Sequence, residues 1–242
     1  MSNLFSKEEK GNYNIFKICG LKIKLRKVSN NKIFLVNSRG GVKRVSRIRG
    51  LNLEFAGSNS TVTIYSPILK FKDSKIFLRS NCEVVIGPSE HGAKKFDARL
   101  LGNNQKLKIG DNFSCTNGCL VLFSQEEKLS VNVGNDCMFA SNIVLRPSDG
   151  HTIADKTTGE VLNKGKNIQI KDKVWLAMNT SVLKGVTIEE GCVIGTGSIV
   201  TKSCTEPNSI YVGTPARKIK SNIIWDRNAI PDYEEKLLKS KL

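Results

Sequence analysis

The sequence predicts an all-β solenoid of stacked parallel strands, and three observations predict it. Apolar residues recur at every sixth position, a smaller series stands four residues after each of them, and the spacing holds over two separate blocks. From Ile170 onward the first series is Ile170, Leu176, Val182, Ile188, Ile194 and Val200. The second is Val174, Thr180, Val186, Cys192, Ser198 and Cys204. The earlier block holds Ile109, Cys115, Val121, Val133, Phe139 and Leu145, with Phe113, Cys119, Cys137 and Ile143 as companions. A period of six is neither the 3.6 of a helix nor plain strand alternation. It suits a triangular coil whose sides are short strands joined by turns. The aliphatic residue points inward, the small one fits near the corner, and coils of about 18 residues stack at about 4.8 Å.

Each element follows in order. Residues 1–59 form a basic N-terminal segment. Between positions 11 and 53 it holds eleven Lys or Arg, from Lys17 to Arg49, and no acid. Its alternation, as in Leu21-Lys22-Ile23-Lys24-Leu25, reads as β-structure covering the open strand edges at one end. Residues 60–86 read as degenerate coils built on Val62, Ile64, Ile68, Phe71, Ile76, Leu78, Cys82, Val84 and Ile86. The stretch EHGAKKFDARLLGNN, 90–104, reads as a loop or short excursion. Leu145 and Ile170 are out of phase by one residue, so the polar, glycine-rich segment 146–167 is an insertion between coils. The stack runs to about residue 220, which makes 60–220 the main domain. The tail 221–242, with PDYEEKLLKSKL, reads as a short C-terminal helix.

Composition bounds the partners. The 242 residues are 39% hydrophobic and 25% charged, ordinary for a globular chain. The net charge of +16 favours anionic partners. No groove-reading helix or aromatic RNA platform accompanies it, so no nucleic acid is expected. No apolar run is long enough for a transmembrane helix. The polar start MSNLFSKEEKGNYN lacks the layout of a secretory signal, so a cytoplasmic location is expected. The basic segment also suits the anionic inner face of a membrane. Seven cysteines, an odd number, argue against a disulfide framework. Cys115 and Cys119 have metal-like spacing, but no second pair completes a zinc site, and no metal is expected.

The insertion holds His151, one of two histidines. A hydroxyl is a poor nucleophile until a base takes its proton, and histidine suits that task near neutral pH. Asp149 and Asp155 stand close enough in sequence to orient the ring. The segments SDGHTIAD, GEVLN, IQIKDKVWLAMNTSVLKGVTIEEGCVIGTGSIVTK and SIYVGTPARKI resemble the hexapeptide-repeat acetyltransferases, above all those that O-acetylate polysialic acid and capsule sugars. The resemblance covers about residues 130–220. It implies a left-handed parallel β-helix, a homotrimer, and transfer of acetyl from acetyl-CoA to a hydroxyl of a cell-surface sugar. It also implies His151 as catalytic base and Trp175 as a catalytic contact that helps position acetyl-CoA. Two positions depart from the family's glycines, Lys171 and Ala177.

On an 18-residue coil Ala177, Gly195 and Gly213 fall in one column, a groove of small residues against which a pantetheine arm can lie. Thr201, Lys202 and Arg217 lie farther along, where the resemblance places the phosphates of CoA, which ask for cations. Transfer is expected to be direct, with a backbone amide near Ala177 stabilising the oxyanion. The basic segment points to an acidic or sialylated acceptor. Two other readings stand beside this one: N-acetylation of an amino sugar nucleotide, whose product resists mild base, and a non-catalytic scaffold. His91 is the competing histidine.

Overall fold

The computed structural model describes residues 5–10, 13–18, 21–26 and 28–240, the first three segments as strands only. Those three strands pair antiparallel in one small sheet. Leu21–Arg26 is the last of them; its side chains, and Cys19, lie outside the described residues.

From Lys32 onward short strands take up three faces in rotation, each pairing in parallel with the strand one coil away. The first face stacks Lys32–Val36, Thr61–Tyr65, Glu83–Ile86, Lys106–Ile109, Ser130–Val133, Ile168–Ile170 and Thr187–Ile188. The second stacks Lys70–Lys72 and Gly92–Lys94 on Ser114–Leu122, then Met138–Arg146, Trp175–Leu176, Val193–Ile194 and Ile210–Gly213. The third runs from Leu51–Phe55 through Ser74–Leu78 and Phe96–Leu100 to Ser181–Leu183 and Ile199–Val200. Ser114–Leu122 and Met138–Arg146 are long enough to serve two faces each. The inward residues of both hexad series are buried, from Ile109 to Cys204.

The stack of parallel strands therefore starts at Lys32, earlier than residue 60. Residues 90–104 are not an excursion: Gly92–Lys94 and Phe96–Leu100 are full members of a coil. Ala93, Phe96, Ala98 and Leu100 point inward and are buried, but the two-residue spacing of Phe96, Ala98 and Leu100 hides the hexad. The 18-residue coil holds where Gln169 pairs with Thr187. Before the insertion the steps are longer: Thr61 pairs with Glu83, Glu83 with Lys106, and Lys106 with Ser130. The surplus collects at one corner, between the third face and the next first face. There the connections 79–82, 101–105 and 123–129 lengthen in turn, and 147–167 follows them.

The turns are made by residues that tolerate a left-handed backbone. At the corner between second and third faces these are Asp73, Lys95, Gly118, Asn142, Asn179 and Gly197. Asn142 Nδ2 donates to Asn179 Oδ1 at 3.1 Å, so the corner residues also bond to one another. Both ends of the stack turn back on themselves. Val42–Val45 pairs antiparallel with Lys32–Val36, and Ala216–Lys220 pairs antiparallel with Ile210–Gly213. Each covers an edge that would otherwise present unpaired backbone groups. The helix is Ile230–Lys239, with Pro231 in its first turn and Lys236 and Lys239 in its last; none of its residues is buried.

Candidate active site

The loop 147–167 is bolted at its base by residues from neighbouring coils. Ser148 is buried, donates to Glu126 Oε1 and lies 2.7 Å from Ser124 Oγ. The Gly165 N–H donates to Glu126 Oε2 at 2.7 Å. The Ser148 hydroxyl, then the Gly165 N–H, hold the Glu126 carboxyl below its usual range against the opposing effect of burial. Lys184 pairs with Asp149 and donates to the Asn163 carbonyl at 2.8 Å. Its hydrogen bond lowers the Asp149 pKa, with Asn163 assisting. Beyond this base the chain doubles back as a narrow hairpin, with Ala154 bridged to Val161.

His151 stands between base and hairpin. Asn163 Nδ2 donates to its carbonyl at 2.8 Å and to Asp149 Oδ2 at 3.0 Å, which fixes the backbone on which the imidazole is carried. The side chain is exposed and has no partner among the described residues. It borders a cleft of about 180 Å³ with Ser124, Glu126, Gly150 and Asn163. Neither proposed orienting carboxylate reaches the ring. Asp149 is committed to Lys184, and Asp155 accepts from the Thr157 and Thr158 amides at the hairpin tip, 2.8 Å each. The residues that hold the site, Glu126, Asn163 and Lys184, are ones sequence reasoning did not single out.

Trp175 occupies another place. It pairs with Met138, the first residue of Met138–Arg146, whereas the His151 loop leaves after Arg146, the last. A corner of the coil separates the two. Trp175 is half-buried and packs on Trp225, ring centroids 6.0 Å apart. Trp225 donates to the Lys173 carbonyl at 2.6 Å. Arg227 continues the attachment of the tail. Its guanidinium donates to Ser114 Oγ at 2.6 Å and to the carbonyls of Asn112, Asp136 and Cys137 at 2.9, 3.1 and 2.9 Å.

The small-residue column is shorter than expected. Ala177 stacks on Gly195, but Ile194 pairs with Tyr211, which puts Val212 and not Gly213 beside Gly195. A Cβ on Gly195 would meet Val212 Cγ1 at 2.5 Å, so close packing requires this glycine. The Ala177 N–H donates to the Ile194 carbonyl at 2.9 Å and is unavailable to an oxyanion. The N–H of Met178 beside it has no backbone partner among the described residues. Lys171 keeps its N–H in the ladder, to Ile188 at 2.9 Å.

Arg217 is exposed on the terminal hairpin, paired with Val212. Thr201 and Lys202 are exposed and follow Ile199–Val200, at the same corner as Lys184 and the His151 loop. Lys202 and Arg217 have no acidic partner among the described residues. One chain thus gathers His151, Thr201 and Lys202 at one place, and Trp175, Ala177, Gly195 and Arg217 at another.

The thiols of the described residues are not placed for chemistry. Six cysteines are buried, Cys115 and Cys119 among them. Burial pushes Cys137 and Cys204 up to about 12, which removes their thiolates near neutral pH. His91 lies on the second face, remote in the stack from the loop, where burial and then Arg227 depress its pKa.

Known proteins resemble this chain in sequence and fold. Residues 167–202 match the family described as bacterial transferase hexapeptide (six repeats). The chain is 31% identical over 173 residues to a polysialic acid O-acetyltransferase of Neisseria meningitidis, covering 64% of this chain and 76% of that one. It is 39% identical over 101 residues to the polysialic acid O-acetyltransferase of Escherichia coli O1:K1, covering 42% of this chain; it spans only 33% of that relative's length. The crystal structure of the polysialic acid O-acetyltransferase OatWY matches 87% of this chain and 98% of its own, with a TM-score of 0.58 and 24% identity. The chain belongs to the hexapeptide-repeat transferases, in the company of the polysialic acid O-acetyltransferases.

Proposed function

We propose that this protein is an O-acetyltransferase that moves an acetyl group from acetyl-CoA to a hydroxyl of an acidic, sialic-acid-type glycan, with His151 as general base. The observation that carries the reading is His151 itself. Its backbone is fixed by a buttressed loop while its imidazole is free, exposed and at the edge of a cleft. His151 takes the proton of the acceptor hydroxyl as the oxygen attacks the thioester carbon. The carbon–sulfur bond then breaks, and the proton passes to the departing thiolate of CoA. The Met178 N–H is the amide available beside Ala177 for the oxyanion. Lys202, with Thr201 beside it, and Arg217, at the other place, have no acidic partner among the described residues and suit the phosphates of CoA.

The separation of His151 from Trp175 and Arg217 supports a site shared between copies. We take the coils to be left-handed and the assembly to be a homotrimer, with the loop of one copy facing the Trp175–Gly195 surface of the next. A cytoplasmic site of action, at the inner membrane face where the glycan is assembled, fits the basic N-terminal segment.

The test is acetyl-CoA-dependent release of free CoA with acidic and neutral glycans. His151→Ala should lower kcat by about 10²–10⁴-fold while acetyl-CoA still binds. Full activity in this variant would move the base elsewhere. Release of the product's acetyl group by mild base identifies an ester, and resistance an amide.

A further inference from the structure

The second face carries a cation cluster that the transfer chemistry does not use. Pairing puts Lys70 beside Gly92 and Lys72 beside Lys94. The ladder continues from Ala93 through Cys115 and Phe139 to Leu176. The next residue along each strand continues this register as one column of Lys72, Lys94, Thr116, Ala140 and Ala177, exposed at the first three, half-buried at Ala140 and buried at Ala177. Lys70, Lys72 and Lys94 are exposed, and no acid among the described residues forms an ion pair with them. With His91, Ser114 and Thr116 they line an open groove of about 520 Å³. The Arg227 guanidinium stands at its edge, on Ser114. Glu90 acts on His91 as an opposing charge, Asp136 lies beyond Arg227, and Asp73 follows Lys72 in the chain.

We propose that this groove binds the acidic acceptor as a chain, holding units other than the one that is acetylated. The inference rests on the acetyl-transfer reading above for the direction of the chain, which enters over the lysines and ends at Ala177. At about 4.8 Å per coil, Lys94 lies roughly 14 Å and Lys72 roughly 19 Å from Ala177. Charges that far away cannot touch the reacting sugar. They can hold carboxylates farther along the same polymer. Thr116 and Ala140, between the lysines and Ala177, are small and leave room for a chain to lie flat. Lysine suits this work, because its flexible stem meets a repeating charge without demanding one geometry. A single-stranded nucleic acid would ask for exposed aromatic faces, and Phe71, the aromatic in this groove, is buried.

The test is Lys70→Ser/Lys72→Ser/Lys94→Ser against wild type, with polysialic acid chains, a single sialic acid unit, dextran and a DNA oligonucleotide of equal charge. The triple variant should raise Kd and KM for the long chain by about tenfold and flatten their salt dependence. Its transfer to the single unit and its KM for acetyl-CoA should not change. Equal chain binding by both proteins would overturn the proposal. So would loss of single-unit transfer in a folded variant, or DNA binding by wild type as tight as polysialic acid. If wild type transfers no acetyl group yet binds the chain through these lysines, the groove stands and the transferase reading falls.

Discussion

His151 is held by residues that never touch its ring, and the charge states of those residues set when the loop is held. Glu126 and Asp149 both have depressed pKa values in the folded chain. The unfolded values are about 4.3 and 3.9. A depressed folded pKa means that the stabilisation is complete above the unfolded value and is lost as pH falls through the folded one. The loop should therefore stay anchored from neutral pH down to about pH 4 and loosen below it. Amide hydrogen exchange across 147–167, corrected for intrinsic rates, checks this; loosening already at pH 6 would contradict it. Lys184→Ala should raise exchange at pH 7 and move the onset of loosening upward. The sequence made His151 visible because it interrupts a repeat. It could not show Glu126, whose partner Gly165 is 39 residues away, or the pairing that takes Asp149 from the imidazole to Lys184.

At the scale of elements, the hexads were legible wherever inward positions are aliphatic and evenly spaced. They blurred where the coil changes length. Residues 90–104 failed as a pattern because strand alternation, Phe96, Ala98 and Leu100, replaces the six-residue step. Gly213 failed as a column member because the last coil is one residue short, which slides Val212 into its place. The core compensates for unequal coils with rings. Phe113 sits between Phe96 and Phe139, at 6.3 and 5.0 Å between centroids, with edge-to-face angles of 76° and 84°. All three are buried, and the column spans the coils just before the insertion. Phe113→Ala should cost about 3–5 kcal/mol, because a rigid stack of paired strands cannot collapse into the space left behind. A denaturant melt measures this. A loss below about 1 kcal/mol would show that the coils relax freely.

At the scale of the molecule, the stack is closed at both ends by antiparallel returns, and its candidate functional residues are divided between separate places. The division was invisible in the sequence, where His151, Trp175 and Lys202 all lie within the stretch of about 130–220 that carries the resemblance. Only the register shows that a corner intervenes. If neighbouring copies complete the site, mixing two inactive variants restores it. His151→Ala and Arg217→Ala, unfolded and refolded together in equal amounts, should recover about a quarter of wild-type activity, the share of interfaces that receive both native residues. Mixtures no better than the separate variants would place the whole site on one chain.

The tail has a mechanical consequence. A solenoid whose coils touch only their neighbours peels under load one coil at a time. Here Arg227 ties the last segment to Asn112 and Ser114, 115 and 113 residues earlier, and to Asp136 and Cys137. Trp225 seats the same segment on Lys173. A pull on the C-terminus is therefore delivered first to the middle of the stack, as a strap under tension loads its buckle. The coils that carry His151 and Trp175 lie inside the buckled length and are shielded until it opens.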